Sequence, residues 1–281
     1  MAELLVRLHE VTGWTSRYLA VLGLPEDISG LDGLTRLCRA HVQRIPFENT
    51  TALARRAATP HGPVPPVDLE ATLAAWERNT GGGVCFEAGA MCCRLLTSLG
   101  YQAQPVLGTI AFPGSHQAAR LTLPEGEFLV DVACGSPIMI PVPLSGETRV
   151  EHAGLTYRFL AGEAPNTWLQ QRLIDGAWQT FCSYNLTEPD PQTLKSGYQR
   201  HHNAGETWVT NTLTLVRCTD TEVIQLRNDQ FTRYTAAGKT SETIADADAT
   251  ERLVAEVFSW PHLPVRAALL ARDRFVASPS R

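Results

Sequence analysis

The sequence predicts an α+β protein with a helical first hundred residues, a run of short antiparallel strands and a mixed third region. Three observations predict it. Apolar residues recur at helical spacing as far as Gly100. From Tyr101 the apolar period shortens to that of strands. Asp175-Gly176, between two strand-like runs, is a strong two-residue hairpin signal. Short antiparallel strands at such spacing suggest a barrel or a sandwich.

In chain order, Leu34, Leu37, Cys38, Val42 and Ile45 form one apolar helical face, which Pro46 ends. Arg44 to Asn49 turns the chain, and Ala57 to Pro66 is a surface loop rich in proline and glycine. Asp68 is a plausible N-cap for a short helix holding Leu69, Leu73 and Trp76. That helix leads into Gly81-Gly82-Gly83-Val84-Cys85-Phe86-Glu87, after which Phe86, Ala90, Cys93, Leu96 and Leu99 keep helical spacing up to a stop at Gly100. Val106 to Phe112, Ala118 to Leu123 and Phe128 to Ala133 read as strands, the last two joined by a Pro124-Glu125-Gly126 turn. Trp168 to Ile174 and Ala177 to Phe181 flank the Asp175-Gly176 turn. The third region starts near Pro189 with a helix through Leu194 and Tyr198. Strands at Trp208 to Val216, Glu222 to Leu226 and Phe231 to Thr235 follow, then a final helix through Leu253, Val254 and Phe258. The tail Ser278 to Arg281 reads as disordered. These period changes divide the chain at residues 1–100, 101–188 and 189–281.

Composition excludes several function classes. With 281 residues, 44% hydrophobic and 19% charged, the chain has the make-up of an ordinary globular protein. A net charge of -5 with no basic run argues against nucleic-acid binding. No apolar stretch approaches the roughly 20 residues that span a bilayer, and Met1 to Glu10 carries no signal-peptide core. Seven cysteines without paired C-x-x-C spacing point to reduced, cytoplasmic thiols and to no metal site. Cys38, Cys92, Cys93 and Cys182 read as small core residues.

Cys85 is different, because three glycines precede it and a helix follows. Unpaired N–H groups and the dipole at a helix N-terminus favour an anion, which suits a nucleophilic thiolate. A phosphate cradle is the alternative use of such glycines, but the Gly-Lys-Ser/Thr ending of a P-loop is missing. A thiolate needs a base, and the base needs an orienting group. His116 precedes one predicted strand and Asp131 lies inside the next, so a hairpin joining them would make the two side chains neighbours. The bland alternatives are a loop histidine and a structural buried carboxylate.

Taken together, Ile45-Pro46-Phe47-Glu48-Asn49, Gly82-Gly83-Val84-Cys85-Phe86-Glu87, Ser115-His116 and Leu129-Val130-Asp131-Val132 resemble the arylamine N-acetyltransferases. Tyr18 to Pro25 is similar to that family's opening helix, and Asn211, opening a strand, with the closing helix extends the likeness across nearly the whole chain. The resemblance implies a helical lobe, a central antiparallel β-barrel and an α/β lid around a core like that of cysteine proteases and transglutaminases. It implies Cys85 as acyl-accepting nucleophile, His116 as base and acid, and Asp131 as its orienting residue. The implied reaction is ping-pong transfer from acetyl-CoA to an arylamine or hydrazine, with the Cys85 N–H a candidate oxyanion donor. The implied partners are a small-molecule amine and an acyl thioester; Arg227, Arg233 and Lys239 are candidate contacts for the CoA nucleotide.

Four features depart from the family pattern. Gly81 stands where the family has an arginine expected to pair with Glu48, so Arg44 or Arg78 must serve or Glu48 is solvated. Ala133-Cys134-Gly135 replaces Gly-Phe-Gly, leaving a smaller thiol near the site. The segment from Cys85 to His116 is short, and Glu206-Thr207-Trp208 stands where the lid has Ser-x-Phe. These departures keep two other readings open: an amide synthase of the same fold, fed by an acyl carrier protein, and a transglutaminase-like cysteine hydrolase.

Overall fold

Helices form where the apolar period is clearest. The computed structural model describes residues 13–277. Residues 13–22 form α1, and Gly30–Arg44 form α2. Leu34, Leu37, Cys38 and Val42 are buried along one face of α2, as their spacing predicts. Pro46 restricts Ile45 to an extended conformation (φ -102°, ψ 110°), which ends the helix. β1 (Phe47–Glu48), α3 (Thr50–Ala58) and α4 (Leu69–Glu77) follow. The Asp68 carboxylate accepts from the Ala71 N–H at 2.9 Å, a cap of the kind worth about 1 kcal/mol. The loop between α3 and α4 is less superficial than its composition suggests. Val64 is buried, and the Gln199 side chain binds both its N–H and its C=O at 2.8 Å.

α5 (Cys85–Ser98) begins at the predicted residue. It ends through Gly100, whose φ of +87° lets the Tyr101 N–H return to the Leu96 carbonyl at 3.0 Å.

The strand region then runs β2 (Gln102–Thr109), β3 (His116–Leu123), β4 (Gly126–Val130), β5 (Val142–Pro143), β6 (Thr148–His152), β7 (Leu155–Ala161), β8 (Thr167–Ile174) and β9 (Ala177–Asn185). They make one antiparallel sheet in the order β5-β4-β3-β2-β9-β8-β7-β6, curled into a nearly closed barrel. Asp175 and Gly176 join β8 to β9 with φ of 50° and 79°, the mirror-image turn that their identities predict. The β6–β7 hairpin escaped the sequence reading because Ala153, with φ 51°, stands where asparagine or aspartate normally signals such a turn.

In the third region come α6 (Pro191–His201), α7 (Trp208–Asn211), β10 (Thr214–Cys218), β11 (Glu222–Arg227), β12 (Gln230–Thr235), β13 (Gly238–Thr243), α8 (Ala247–Glu256) and α9 (Val265–Ala277). The strand expected over Trp208 to Val216 is instead a helical turn followed by β10, and Asn211 closes that turn rather than opening a strand. Threonine hydroxyls are the cause. Those of Thr207, Thr210 and Thr212 donate to the carbonyls of His201, Asn203 and Trp208 at 2.7, 2.8 and 2.8 Å, pinning a local turn in place of a ladder. α8 is not the last helix, and Phe258 lies fully buried in the link beyond it. α9 has a small-residue face of Val265, Ala268 and Ala271, which hides its apolar period. Met1 to Glu10 and Ser278 to Arg281 lie outside the described residues. Among the described residues no helix is long and apolar enough to cross a membrane.

The second sheet has the order β1-β10-β11-β12-β13, so a strand from the start of the chain borders one from its end. Asn49 fastens this junction. Its Nδ2 donates to the carbonyls of Val209 (2.9 Å) and Thr212 (2.6 Å), and its Oδ1 accepts from the Thr214 N–H at 2.7 Å.

Glu48 is neither paired with an arginine nor solvated, which corrects the sequence expectation. It is fully buried, and its carboxylate accepts from the N–H groups of Thr51, Gly82 and Gly83 (3.2, 2.9 and 2.8 Å) and from the hydroxyls of Thr50 and Thr51. Arg44 lies against Gly23, and Arg78 is exposed. A Cβ at position 81 would meet the Thr51 methyl at 2.6 Å, so Thr51 occupies the space in which a larger residue would start. At position 82 a Cβ would stand 2.2 Å from the Pro46 carbonyl oxygen. Gly82→Ala therefore forces the glycine run off Glu48, and we expect a loss of about 1–3 kcal/mol in urea unfolding. A variant as stable as the wild type would show that this contact does not brace the fold.

Candidate active site

Cys85 is the first residue of α5, and no side chain caps that helix. Val84 has no acceptor to offer. Instead Glu87 reaches back to the Val84 N–H at 3.3 Å, which fixes the first turn. Glu87 is buried beside Arg55, which also touches the Tyr198 hydroxyl (3.1 Å) and His202 Nε2 (3.3 Å). Burial opposes the Glu87 charge, but Arg55 and His202 outweigh it and hold the carboxyl below its usual range. This buried pair ties the start of α5 to α3 and α6.

His116 opens β3 opposite Gly108 of β2, where a side chain would strike Cys182 Sγ at 2.6 Å and the imidazole at 3.3 Å. The loop before it is stapled by Ser115, whose Oγ accepts from the N–H groups of Ile110, Ala111 and Phe112 at 3.0, 3.0 and 3.3 Å. The Ser115 carbonyl accepts from Cys85 Sγ at 3.7 Å. Asp131 lies one residue past the end of β4 rather than inside the strand. The β3–β4 hairpin makes the two side chains neighbours, as the sequence implied, with His116 Nε2 2.6 Å from Asp131 Oδ2. Both are almost wholly buried. Burial disfavours the charged imidazole, yet Asp131 and then Cys85 outweigh it, and the His116 pKa rises well above its ordinary value. Burial likewise works against the Asp131 carboxylate, while His116, Tyr184 and the Ala133 N–H (3.0 Å) hold its pKa down. The structure thus brings Cys85, His116 and Asp131 together.

Two members of this network were not foreseen. The Tyr184 hydroxyl is 2.6 Å from Asp131 Oδ2 and 2.7 Å from Gln170 Oε1, and it has one hydrogen to give. Gln170 Nε2 is buried without a partner. Turning the Gln170 amide over removes the conflict over that one hydrogen: its NH2 donates to Tyr184, which donates to Asp131. Tyr184 lay beyond the predicted end of its strand. A bulge at Gln170/Gln171 breaks the two-residue period, and β9 continues past the predicted end at Phe181 as far as Asn185.

Cys85 and His116 line a cavity of about 270 Å³ between the barrel and the second sheet. Phe47 and Trp208, with ring centres 5.8 Å apart, form an apolar wall packed on Val84. Trp208 is the aromatic residue that this chain has at the departure in the lid. Cys134 also lines the cavity, but burial pushes its thiol well above the ordinary value, which keeps it protonated at neutral pH. Of the candidate nucleotide contacts, Arg227 lines the cavity, whereas Arg233 is paired with Glu222. Among the described residues no cluster of metal-ligating side chains occurs.

A family model described as N-acetyltransferase matches residues 30–261. The chain belongs to the arylamine N-acetyltransferase family. Members of this family are acyltransferase enzymes. The chain is 24% identical over 230 residues to the arylamine N-acetyltransferase / N-hydroxyarylamine O-acetyltransferase of Salmonella typhimurium, covering 79% of this chain and 77% of that one. It is also 24% identical over 246 residues to proansamycin X synthase of Amycolatopsis mediterranei, covering 83% and 91%. The fold is that of the arylamine N-acetyltransferases of Mycobacterium abscessus and Mycobacterium marinum, the latter solved with CoA. Their TM-scores are 0.80 and 0.77 at 22% identity, over 92% of this chain and 94% and 98% of theirs.

Burial pushes Cys38, Cys182 and Cys218 up to about 12 and Cys93 to about 11, with Cys92 also raised. Iodoacetamide at pH 7 should therefore label one cysteine rapidly, and peptide mapping should place the label on Cys85. Comparable labelling of Cys134 would contradict the assignment of the reactive thiol.

Proposed function

We propose that the protein is an acetyl-CoA:arylamine N-acetyltransferase that works through a Cys85 thioester, with Cys85, His116 and Asp131 as its catalytic triad. One observation carries this reading: a cysteine at a helix N-terminus beside a buried His–Asp pair, inside a cavity lined by aromatic rings. The CoA-bound Mycobacterium marinum structure supports CoA as the donor's carrier. The name of the Salmonella typhimurium relative supports an aromatic amine as acceptor.

The resting pair is a Cys85 thiolate and a protonated His116. The thiolate attacks the thioester carbonyl of acetyl-CoA, and the oxyanion that forms is met by the Cys85 N–H, which is free of intrahelical partners at the first position of α5. Collapse breaks the bond to the CoA sulfur, which leaves with the proton of His116. The neutral imidazole then takes a proton from the attacking amine. The second collapse returns Cys85 as thiolate and His116 as imidazolium. An arylamine suits this step because it is weakly basic and already neutral at pH 7. Asp131 keeps Nε2 occupied, so that Nδ1 is the nitrogen left to face the thiol.

Similarity to proansamycin X synthase favours a second reading, an amide synthase that moves a larger acyl chain onto an amine. Intact mass separates the two. Incubation with acetyl-CoA alone should add one acetyl group, absent in Cys85→Ser and discharged by added aromatic amine. No adduct from acetyl-CoA, together with acylation by a long-chain thioester, would establish the second reading instead. Discharge as fast in water as with amine would make the protein a hydrolase.

The raised His116 pKa gives a signed pH prediction. Its protonated form, and the stability it contributes, is complete below about pH 6.5 and is lost only as the pH rises through the higher folded value. The imidazolium should thus still stand beside Cys85 at neutrality, where it assists iodoacetamide alkylation of that thiol. In His116→Gln alkylation should follow the titration of an ordinary thiol, with a rate at pH 7 lower by about thirtyfold. Matching profiles would remove His116 from the mechanism.

A further inference from the structure

A second cavity borders the glycine run. Its volume is about 210 Å³, and it shares no lining residue with the cavity that holds Cys85. Pockets for drug-sized ligands measure roughly 300–1,000 Å³, so an occupant here is smaller. Residues of α3, α4 and the glycine run wall it, and it has one open cation, Arg55, and one open acid, Asp68.

Arg55 is oriented before anything binds. Its contacts to Glu87, Tyr198 and His202 all use one nitrogen, Nη1. Among the described residues Nε and Nη2 bond to nothing, and neither is sealed in the interior as the Nε atoms of Arg56 and Arg172 are. Together they form an edge of the planar guanidinium, which grips a carboxylate at two points. Glu87 does not fill that edge, because its Oε1 meets Nη1 and its Oε2 takes the Val84 N–H. Asp68 has spare capacity as well. Its Oδ1 caps α4, and its Oδ2 has no partner among the described residues. The two charges line one cavity, yet Arg55 pairs with Glu87 and not with Asp68. The remaining wall is apolar, made by Ala71, Ala75, Trp76 and the prolines at 65 and 66. The Trp76 indole N–H is already given to the Gly82 carbonyl at 2.8 Å, so its ring offers an apolar face.

We propose that this cavity binds a small α-amino acid as the zwitterion, with its carboxylate on Arg55, its ammonium on Asp68 and an apolar side chain against Trp76. A lone carboxylate would gain Arg55 and be repelled by Asp68, and a lone amine would meet the reverse. Only a ligand with both charges offsets its desolvation at both ends. The site adjoins the turn that presents the thiol: Arg55 holds Glu87, and Glu87 holds the N–H of the residue before Cys85. It stands independently of the acyl-transfer reading.

Calorimetry with leucine tests the site against two analogues that each lack one charge. 4-Methylpentanoate has no ammonium, and leucinamide has no carboxylate. At pH 7 leucine should bind about tenfold more tightly than either. Asp68→Asn, which keeps the helix cap, should weaken leucine by about threefold or more and leave 4-methylpentanoate no weaker. Arg55→Lys, which keeps a charge beside Glu87 and loses the fork, should weaken leucine by about tenfold. Ala71→Leu, at an exposed position of α4, should abolish binding by filling the cavity, and it serves if Arg55→Lys fails to fold. Leucine should still bind after iodoacetamide has capped Cys85. Equal affinity for the three compounds, or no binding of leucine, would overturn the proposal. So would loss of binding once Cys85 is capped, which would give leucine to the cavity around the thiol.

Discussion

The buried carboxylate of Glu48 is the constraint on which the rest of the site depends. A buried charge without an opposite partner is costly, and here it is satisfied by neutral dipoles alone: three backbone N–H groups and two threonine hydroxyls. Those donors come from the start of α3 and from the glycine run, so satisfying one carboxylate fixes where β1 ends and where α5 begins. A carboxylate that lost them would face several kcal/mol of desolvation, and that penalty holds the glycines in register. The position of Cys85 is thus set two residues away, by the hydrogen bonds of Gly83.

A second buried carboxylate is treated differently. Asp131 faces a histidine and is braced from behind by Tyr184 and Gln170, so its charge is spent on raising the pKa of His116. The contrast between the two acids is instructive. Neutral donors hold Glu48 still, whereas Asp131 is coupled to a group that can take and release a proton. One acid fixes the backbone and the other holds a histidine, and both are buried within a few residues of the same cavity.

The parts of this arrangement that were legible in the sequence are those written in local patterns. Cys85 after glycines, the helix face of Leu34 to Val42, the Asp175-Gly176 turn and the hairpin bringing His116 to Asp131 all follow from short-range spacing. What escaped notice depends on tertiary contacts or on exceptions to a period. Thr207, Thr210 and Thr212 carry strand-forming residue type but use their hydroxyls to hold a helical turn. Tyr184 was hidden by a bulge that breaks the alternation on its strand. The expected arginine partner for Glu48 was wrong because the replacement is not another cation. Thr51 fills the space and supplies a donor, and nothing in a charge pattern signals that.

The pairing of β1 with β10, fastened by Asn49 to Thr214, has a consequence for the order in which the molecule can come into being. Chains emerge from the ribosome N-terminus first. The glycine run and its thiol are made early, but the strand that borders β1 is synthesised more than 160 residues later than Asn49. Until then β1 is an unpaired edge and the wall formed by Trp208 does not exist. Cys85 therefore acquires its enclosure only when three quarters of the chain has been made, and a nascent fragment carries the proposed nucleophile without the pocket around it.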